Sequence, residues 1–206
     1  MSMRLHLVRH GEVHNPERIL YGRLPGYRLS RAGRAMAQAA ADSLVADGRP
    51  VTDLRCSPLQ RTQESAEPFA SAFGLTPFID ARIIEPSNVF EGRRMSVALR
   101  NPLNWRHLRD PDLPSWGEPY ARIADRMLAA MDDAASSPDG DVVLVSHQAP
   151  IWIAHLAVAG LPLRHDPRTR RCALSSITSF ERDDLGAWRE VAYTEPAASG
   201  VDLGAV

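Results

Sequence analysis

Residues 3–12 read MRLHLVRHGE, and this stretch decides the fold because a short apolar run ends in an arginine, a histidine and a glycine. The run predicts a buried strand over residues 4–9, which places Arg9 and His10 at its carboxyl end. Strands normally end in turns that favour Gly, Asn, Asp or Pro. A permanent cation followed by an imidazole in that place indicates a binding or catalytic site.

Strands and helices alternate along the rest of the chain. The predicted helices cover residues 30–48, 58–73 and 118–136 with a further one from about Pro150, and the predicted strands and extended segments cover 51–57, 76–84, 142–146, 175–181 and 187–194. The alternation predicts an α/β fold, a three-layer doubly wound sandwich with a mainly parallel sheet. In such sheets ligands bind beyond the carboxyl ends of the strands.

The length of the chain predicts its domain organisation. With 206 residues, we expect one domain over residues 1–194 and a small, polar, frayed tail over 195–206.

A long irregular segment interrupts the pattern between residues 85 and 119, where five prolines occur. A loop of this length in a compact domain is usually functional, so the segment is predicted to be a lid or a specificity segment. Trp105, Trp116 and Tyr120 either line a substrate pocket or pack in the core or lid.

Composition and charge narrow the function classes. The net charge of −1 favours neither a nucleic-acid nor a membrane partner, so an anionic ligand must be held by a local cluster of cations. The chain contains Arg but no Lys, which excludes a Schiff-base lysine and the lysine of a P-loop. The two cysteines form no disulfide framework, and no apolar segment is long enough for a signal peptide or a membrane span. We therefore expect a cytoplasmic protein.

The segment SPLQRTQES, residues 57–65, is an independent indication of an anion site. Ser57 is predicted to cap a helix, Pro58 to occupy its first position and Gln60 to complete a capping box. Arg61 then lies in the first turn, where a cation opposes the helix dipole by about 0.3–1 kcal/mol. An anion between the helix N-terminus and the guanidinium removes that cost.

A second histidine follows another apolar strand. His147 comes directly after residues 142–146, VVLVS. If this strand lies beside the first one, His147 and His10 share one edge of the sheet. Arg9 and Arg61 then lie close to both imidazoles. Because arginine presents a planar fork that matches phosphate oxygens two at a time, the expected ligand is a phosphoryl group.

Four sequence elements together resemble those of the histidine phosphatase superfamily, also called the phosphoglycerate mutase-like family. In chain order they are LVRHGE with the following Asn15, SPLQRTQES, IIEPSNVFEG and VVLVSHQ, and the similarity runs from about residue 4 to 182. The R-H-G motif alone is short, whereas four elements in this order are highly specific. The family fold is a doubly wound α/β sandwich, which agrees with the pattern of predicted strands and helices.

The resemblance implies a phosphate pocket made of four residues. His10 resembles the family nucleophile that becomes phosphorylated, and the rest of the pocket is implied for Arg9, Arg61 and His147. These roles are chemically consistent, because a neutral imidazole can attack phosphorus and split hydrolysis into two easier steps. Positioning and stabilisation of the equatorial oxygens by cations supply most of the remaining catalysis.

Three further positions match the family less closely. Glu85 resembles the general acid that protonates the leaving group, but Phe90-Glu91-Gly92 follows it one residue closer than in the family and without the intervening glycine. Glu91 therefore remains an alternative general acid. Asn15 resembles an accessory phosphate contact. Gln148 stands where the family often has glycine, and it either reaches the substrate or starts the helix.

The resemblance predicts a metal-independent phosphomonoesterase that hydrolyses a small phosphorylated metabolite through a phosphohistidine at His10 and needs no cofactor. A phosphoglycerate mutase-type phosphotransferase is the nearest alternative, followed by a catalytically weak protein that binds a phosphorylated ligand. A nucleotide-dependent enzyme has no support, since neither G-x-x-x-x-G-K-[ST] nor G-x-G-x-x-G occurs. Neither the substrate nor the oligomeric state follows from the sequence.

Two groups of residues have competing interpretations. His6, His10 and His14 are spaced by four, but this spacing brings metal ligands together only on a helix, and a strand followed by glycine argues against one. We therefore expect no metal site. Arg93 and Arg94 are either a second anion contact or solvated side chains.

Overall fold

A computed structural model describes residues 2–110, 117–136 and 139–197. In these residues a sheet of six strands has the order β3-β2-β4-β1-β5-β6. The strands are β1 (Arg4–Arg9), β2 (Val51–Cys56), β3 (Phe78–Ile79), β4 (Asp141–Ser146), β5 (Ile177–Arg182) and β6 (Trp188–Thr194). The first four strands in this order are parallel, whereas β5 is antiparallel to β1 and to β6. The sheet is therefore mixed and mainly parallel, as predicted.

Helices connect the strands and cover both faces of the sheet. They are α1 (Arg31–Ala46), α2 (Gln60–Phe73), α3 (Met95–Ala98), α4 (Tyr120–Ala134) and α5 (Gln148–Val158), and short 3₁₀ helices cover Ala81–Ile83, Pro102–Leu108 and Pro167–Thr169. No helix in the described part of the chain is long and apolar enough to cross a membrane.

Two hydrophobic cores lie on opposite faces of the sheet, because side chains alternate along a strand. On one face, Leu5 and Leu7 of β1 pack with residues of α4 and α5, such as Met127 and Ile151. On the other face, Val8 packs with residues of α1 and α2. Strand β4 alternates in the same way, with Val142 and Leu144 in the first core and Val143 and Val145 in the second. This arrangement is the predicted three-layer sandwich.

The register of β1 and β4 brings the two histidines that were predicted to share a site to the same edge of the sheet. Val8 is paired with Val145 and Arg9 with Ser146, so both strands end at the same level. His10 and His147 are the next residues along their chains. The condition that the sequence left open, that these strands are neighbours, is therefore met.

Several predicted boundaries were wrong. Helix α2 begins at Gln60 instead of residue 58, and its N-cap is Leu59, which makes no side-chain cap. Ser57 is therefore not the N-cap, and the predicted capping box does not form. The hydroxyl of Ser57 lies next to Nε2 of His147 instead. Between residues 76 and 84, β3 has only two residues and a 3₁₀ helix follows, capped by the carboxylate of Asp80.

At other positions the differences are smaller. Ser30 caps α1 as predicted, since its hydroxyl accepts a hydrogen bond from Gly33 N. Helix α5 begins two residues earlier than predicted, at Gln148, because Pro150 fits within a first turn. Trp116 and residues 198–206 of the predicted tail lie outside the described residues.

Candidate active site

The imidazoles of His10 and His147 form the centre of the candidate site. Their ring centroids are 5.2 Å apart and their planes meet at 63°. Both side chains are buried, with 3% and 1% of their surface exposed. Each residue follows the last residue of a strand, so the sheet holds both backbones rigidly.

The hydrogen bond of His10 defines which ring nitrogen can react. Its Nδ1 lies 2.8 Å from the carbonyl oxygen of Gly11, which can only accept, so Nδ1 carries the proton. The lone pair of the neutral ring is therefore on Nε2. Burial, followed by the charges of Arg61 and Arg9, holds the pKa of His10 well below 6.5. The ring is thus neutral at physiological pH, which is the state of a nucleophile.

Gly11 is required by the close approach of the first helix. A Cβ at this position would lie 2.2 Å from the carbonyl oxygen of Gly33 in α1. The amide of Gly11 also donates to Ser65 Oγ on α2, at 3.1 Å. The absence of a side chain at Gly11 therefore lets α1 pack closely against the loop that carries His10.

The guanidinium of Arg9 is buried and only partly hydrogen-bonded. Its Nη1 donates to the carbonyl oxygen of Cys172 at 2.6 Å. Its Nε is buried, and among the described residues it has no hydrogen-bond partner. A buried N–H group without a partner costs free energy, so such a group is expected to bind a ligand or ordered water.

Arg61 lies in the first turn of α2, as predicted, and is 1% exposed. Its Nη2 donates to the carbonyl oxygen of Gly22 at 2.8 Å, and its guanidinium lies over the ring of Tyr21, 4.8 Å from the centroid. Its Nε is buried without a partner in the described part of the chain. Burial lowers the pKa of Arg61, and the charges of Tyr21 and Glu85 oppose this shift.

His147 presents a third unpartnered nitrogen. Its Nε2 lies 2.8 Å from Ser57 Oγ, whereas its buried Nδ1 has no partner among the residues described. Burial, then Arg61 and then His10 hold the pKa of His147 well below 6.5. If the Ser57 hydroxyl donates to Nε2, the proton of the neutral ring is on Nδ1. His147 is then a neutral donor.

The side chain of Glu85 is half-buried and has a raised pKa. Burial raises the pKa above its usual value, and Arg61, Arg170 and Arg9 partly oppose the shift. Its Oε2 is buried and has no hydrogen-bond partner within the described residues. A carboxyl group with these properties can keep its proton to a higher pH than usual, as a general acid requires.

The neighbouring carboxylate of Glu91 has a different environment. Its Oε1 accepts hydrogen bonds from the backbone N–H groups of Arg23 and Asn88, both at 3.0 Å. The carboxylate of Glu91 therefore joins the segment that contains Arg23 to the turn that contains Asn88. Of the two candidates, only Glu85 has a buried oxygen without a partner in the described structure.

The two predicted substrate contacts are positioned differently. The side chain of Asn15 bonds within its own loop, donating to Ile19 O at 2.8 Å and accepting from Ile19 N at 3.2 Å. Gln148 is the first residue of α5, half-buried and next to His147. A role in substrate binding stays a prediction for both residues.

Several residues near the site were missed by sequence reasoning. They are Ser57, which faces His147; Tyr21, which lies under Arg61; Arg170, whose charge acts on Glu85; and Ser175, whose N–H donates to His10 O at 3.3 Å. Ser175 is buried at φ +53°. Of these four residues, only Ser57 could have been found from the local sequence, because it lies four residues before Arg61.

The histidines spaced by four do not converge. His6 lies within β1 and contacts Ser179 Oγ and Asp141 at the opposite end of the strand from His10, and His14 is exposed. In the described residues no group of three or more His, Cys, Asp or Glu side chains could hold a metal ion. Of the three aromatic residues interpreted as pocket, core or lid, two are described and they differ: Tyr120 is buried and Trp105 is exposed.

The chain is similar to known proteins in sequence and fold. The profile of the histidine phosphatase superfamily (branch 1) matches residues 5–195. Uncharacterized protein Rv0525 of Mycobacterium tuberculosis (strain ATCC 25618 / H37Rv) is 50% identical over 200 residues, 94% of this chain and 96% of the relative. "Probable phosphoglycerate mutase GpmB" of Escherichia coli (strain K12 / DH10B) is 30% identical over 185 residues, 85% and 84% of the two chains. The solved structure of mycobacterial glucosyl-3-phosphoglycerate phosphatase Rv2419c with VO3 has a TM-score of 0.74 at 28% identity, over 92% of this chain and 98% of that one.

Proposed function

The chain belongs to the histidine phosphatase superfamily, and we propose that it is a metal-independent phosphomonoesterase that hydrolyses a small phosphorylated metabolite through a phosphohistidine at His10. One observation carries the proposal. Three buried nitrogens without a partner in the described structure belong to residues around the neutral ring of His10: Arg9 Nε, Arg61 Nε and His147 Nδ1, which carries a proton if the Ser57 hydroxyl donates to Nε2. A phosphoryl group offers oxygens to such donors and a phosphorus atom to the nucleophile.

The first step forms the phosphohistidine. The lone pair of His10 Nε2 attacks phosphorus, and the bond between phosphorus and the leaving oxygen breaks. The leaving oxygen takes the proton of Glu85, whose raised pKa keeps that proton available. Arg9, Arg61 and His147 stabilise the charge on the three equatorial oxygens. The two arginines supply the positive charge that a metal ion supplies at other phosphoryl-transfer sites, which supports metal independence.

The second step releases phosphate. Water attacks the phosphorus, and the carboxylate of Glu85 accepts a proton from that water. The bond between phosphorus and Nε2 then breaks, and its electron pair returns to the ring of His10. Inorganic phosphate leaves, and both residues have regained their starting states.

The relatives support phosphate chemistry and leave one alternative. A solved relative is named as a phosphatase and was obtained with VO3, whereas another relative is named as a phosphoglycerate mutase. In a mutase the same phosphohistidine returns its phosphoryl group to a sugar-acid hydroxyl instead of water. We also propose a cytoplasmic location, since Cys56 and Cys172 are both free, buried thiols.

The deciding experiment is a screen of phosphorylated metabolites against the purified protein with chelator present. We expect phosphate release, and labelled phosphate on protein that is quenched in alkaline detergent. The label should be lost when this protein is then treated with acid. His10→Ala should lose both the phosphate release and the label. Undiminished turnover in His10→Ala would exclude the phosphohistidine mechanism. With 3-phosphoglycerate and its bisphosphate primer, isomerisation faster than phosphate release would identify a mutase. Binding of phosphorylated ligands without any turnover would identify a binding protein.

A further inference from the structure

Ser175 lies opposite the proposed nucleophile, just before strand β5. In the antiparallel pair of β1 and β5, Val8 is paired with Ile177, and the same register continued by two residues places Ser175 opposite His10. The N–H group of Ser175 donates to His10 O at 3.3 Å, which agrees with this pairing. In a regular antiparallel pair, opposite residues have Cβ atoms about 4.5–5.5 Å apart. Ser175 is therefore the cross-strand neighbour of His10.

The segment that precedes β5 also holds Arg9, the other residue at the end of β1. Cys172 O accepts a hydrogen bond from Arg9 Nη1 at 2.6 Å, and Ser176 O accepts one from Arg9 N at 3.1 Å. Together with the bond from Ser175 N to His10 O, these contacts tie the segment to both residues. The segment therefore borders the candidate active site.

The backbone of Ser175 is strained. Its φ is +53°, in the left-handed region that glycine adopts easily and that residues with a Cβ rarely adopt. Of the described residues other than glycine, only Arg18 also has a positive φ, and Arg18 is exposed whereas Ser175 is buried. Backbone strain in a buried residue is concentrated at functional sites.

The hydroxyl of Ser175 is buried and unpartnered. The residue has 0% of its surface exposed, and its Oγ has no hydrogen-bond partner among the described residues. The adjacent Ser176 is also buried, but its Oγ contacts Cys172 Sγ at 3.9 Å. A buried hydroxyl without a partner costs free energy. A glycine at position 175 would remove both this cost and the strain, so stability alone does not account for a serine there.

Unpartnered buried atoms of the same kind mark the candidate active site. Within the described residues they include Arg9 Nε, Arg61 Nε, His147 Nδ1 and Glu85 Oε2. The proposed mechanism assigns these four side chains to the phosphoryl group or to the leaving oxygen. The Oγ of Ser175 has the same property and belongs to the neighbour of His10, but that mechanism gives it no role.

We infer that Ser175 is a further catalytic residue, whose hydroxyl donates a hydrogen bond to an oxygen of the phosphoryl group while this group is transferred to and from His10. The inference rests on the proposed function. A hydroxyl can rotate to suit its partner, so a donor that is unused in the free protein becomes paired when the substrate brings in an oxygen. Because that oxygen is charged, the hydrogen bond is stronger than one between neutral groups. The strained, unpartnered serine therefore lowers the stability of the free protein and raises the rate of transfer.

Ser175→Ala and Ser175→Gly test the inference through three measurements: kcat with p-nitrophenyl phosphate, the Kd of vanadate by calorimetry, and the melting temperature. Vanadate is the probe because it imitates the phosphoryl group in transfer, and transition-state analogues report the interactions made there. We expect both variants to lower kcat and to weaken vanadate binding by about 10- to 100-fold. Neither should melt below the wild type, and Ser175→Gly should melt highest, because it also removes the strain.

Ser176→Ala is the matched control. It removes the buried hydroxyl of the adjacent residue, which has a contact of its own in Cys172 Sγ and whose φ is not positive. The main-chain bond from Arg9 N to Ser176 O is unaffected by this change. We expect kcat and the Kd of vanadate to stay near their wild-type values.

The outcomes separate the inference from the proposed function. Unchanged kcat or unchanged vanadate affinity in Ser175→Ala would overturn the inference and leave the phosphatase intact. A loss of kcat in Ser175→Ala but not in Ser175→Gly would also overturn it, since the effect would then come from the backbone. Equal losses in Ser176→Ala, or a much lower melting temperature in both Ser175 variants, would assign the hydroxyl a structural role instead. If the wild type neither hydrolyses p-nitrophenyl phosphate nor binds vanadate, the proposed function fails and the inference fails with it.

Discussion

The hydroxyl of Ser57 lies 2.8 Å from Nε2 of His147 and thereby joins the residue after the second strand to the residue after the fourth strand. Both residues are buried, with 0% and 1% of their surface exposed. The other ring nitrogen, Nδ1, is buried and has no partner among the described residues. A hydroxyl that donates to Nε2 keeps the proton on Nδ1, where a phosphoryl oxygen can accept it.

Replacing Ser57 by Ala should therefore lower kcat by about 10- to 100-fold with little change in KM, because one hydrogen bond that orients His147 is lost. Steady-state kinetics on p-nitrophenyl phosphate measures the effect. Thr62→Val is the matched control: it removes a buried hydroxyl that bonds to Ser57 O but not to His147. We expect Thr62→Val to lower the free energy of unfolding and leave kcat near the wild-type value. An equal loss of kcat in both variants would contradict an orienting role for the Ser57 hydroxyl.

Glu85→Gln should affect substrates according to their leaving groups. General acid catalysis contributes about 10²–10⁴-fold, and less where the leaving oxygen is stable as an anion. Hydrolysis of alkyl phosphates should therefore fall steeply, and hydrolysis of p-nitrophenyl phosphate much less. Glu91→Gln is the control, because the Glu91 carboxylate accepts two backbone hydrogen bonds that a Gln oxygen can still accept. Leaving-group dependence in Glu91→Gln alone would transfer the acid role to Glu91.

Arg170→Gln should move the alkaline limb of the pH–rate profile to higher pH. Burial raises the pKa of Glu85, and Arg170 is, after Arg61, the cation that most opposes this rise. Without the positive charge of Arg170 the carboxylate is less stabilised, so the pKa of Glu85 rises further and its proton is retained to higher pH. The measurement is kcat/KM for an alkyl phosphate as a function of pH.

The adjacent Arg171 provides the control for this experiment. Its guanidinium is paired with Glu190 and lies over the ring of Tyr193, so Arg171→Gln removes the same charge without acting on Glu85. We expect the alkaline limb to stay in place in Arg171→Gln. A shift to lower pH in Arg170→Gln, or equal shifts in both variants, would contradict the assignment of the alkaline limb to Glu85.

Asp141→Asn should destabilise the fold by about 2–5 kcal/mol without changing kcat, because it breaks a buried ion pair. Asp141 is 2% exposed and accepts hydrogen bonds from Arg4 N at 2.8 Å and from the Arg49 guanidinium. It begins β4, roughly 20 Å along the strand from His147. Urea unfolding and steady-state kinetics at pH 7 test both parts. A loss of kcat with unchanged stability would contradict this separation.

The ionisation of the Asp141 carboxyl should make the stability of the fold depend on pH. Burial alone would raise the pKa of Asp141, but hydrogen bonds from Arg49 and His6 outweigh burial and lower it. A lowered folded-state pKa means that the contribution of Asp141 is present above the unfolded carboxyl pKa of about 3.9 and is lost as the pH falls below it. The difference in unfolding free energy between wild type and Asp141→Asn should therefore shrink below about pH 4.

The amino-acid sequence by itself determined the order of strands and helices and the placement of His10, Arg61 and His147 at their ends. These features depend on local patterns: the apolar runs of β1 and β4, the helix formers between Ser30 and Gly48, and Arg61 in a first turn. Burial of alternating side chains acts over a few residues, so it can be predicted from neighbouring positions.

Only the tertiary structure decided which of these groups act together. In the structure the hydroxyl of Ser57 is the partner of His147 and does not cap the helix. Glu85 has a buried carboxyl oxygen without a partner among the described residues, whereas the carboxylate of Glu91 accepts hydrogen bonds. The charge of Arg170 acts on Glu85. These contacts join segments that are up to 90 residues apart. They depend on how the strands are ordered and how the helices pack on them, since hydrogen bonding and charge act through space rather than along the chain.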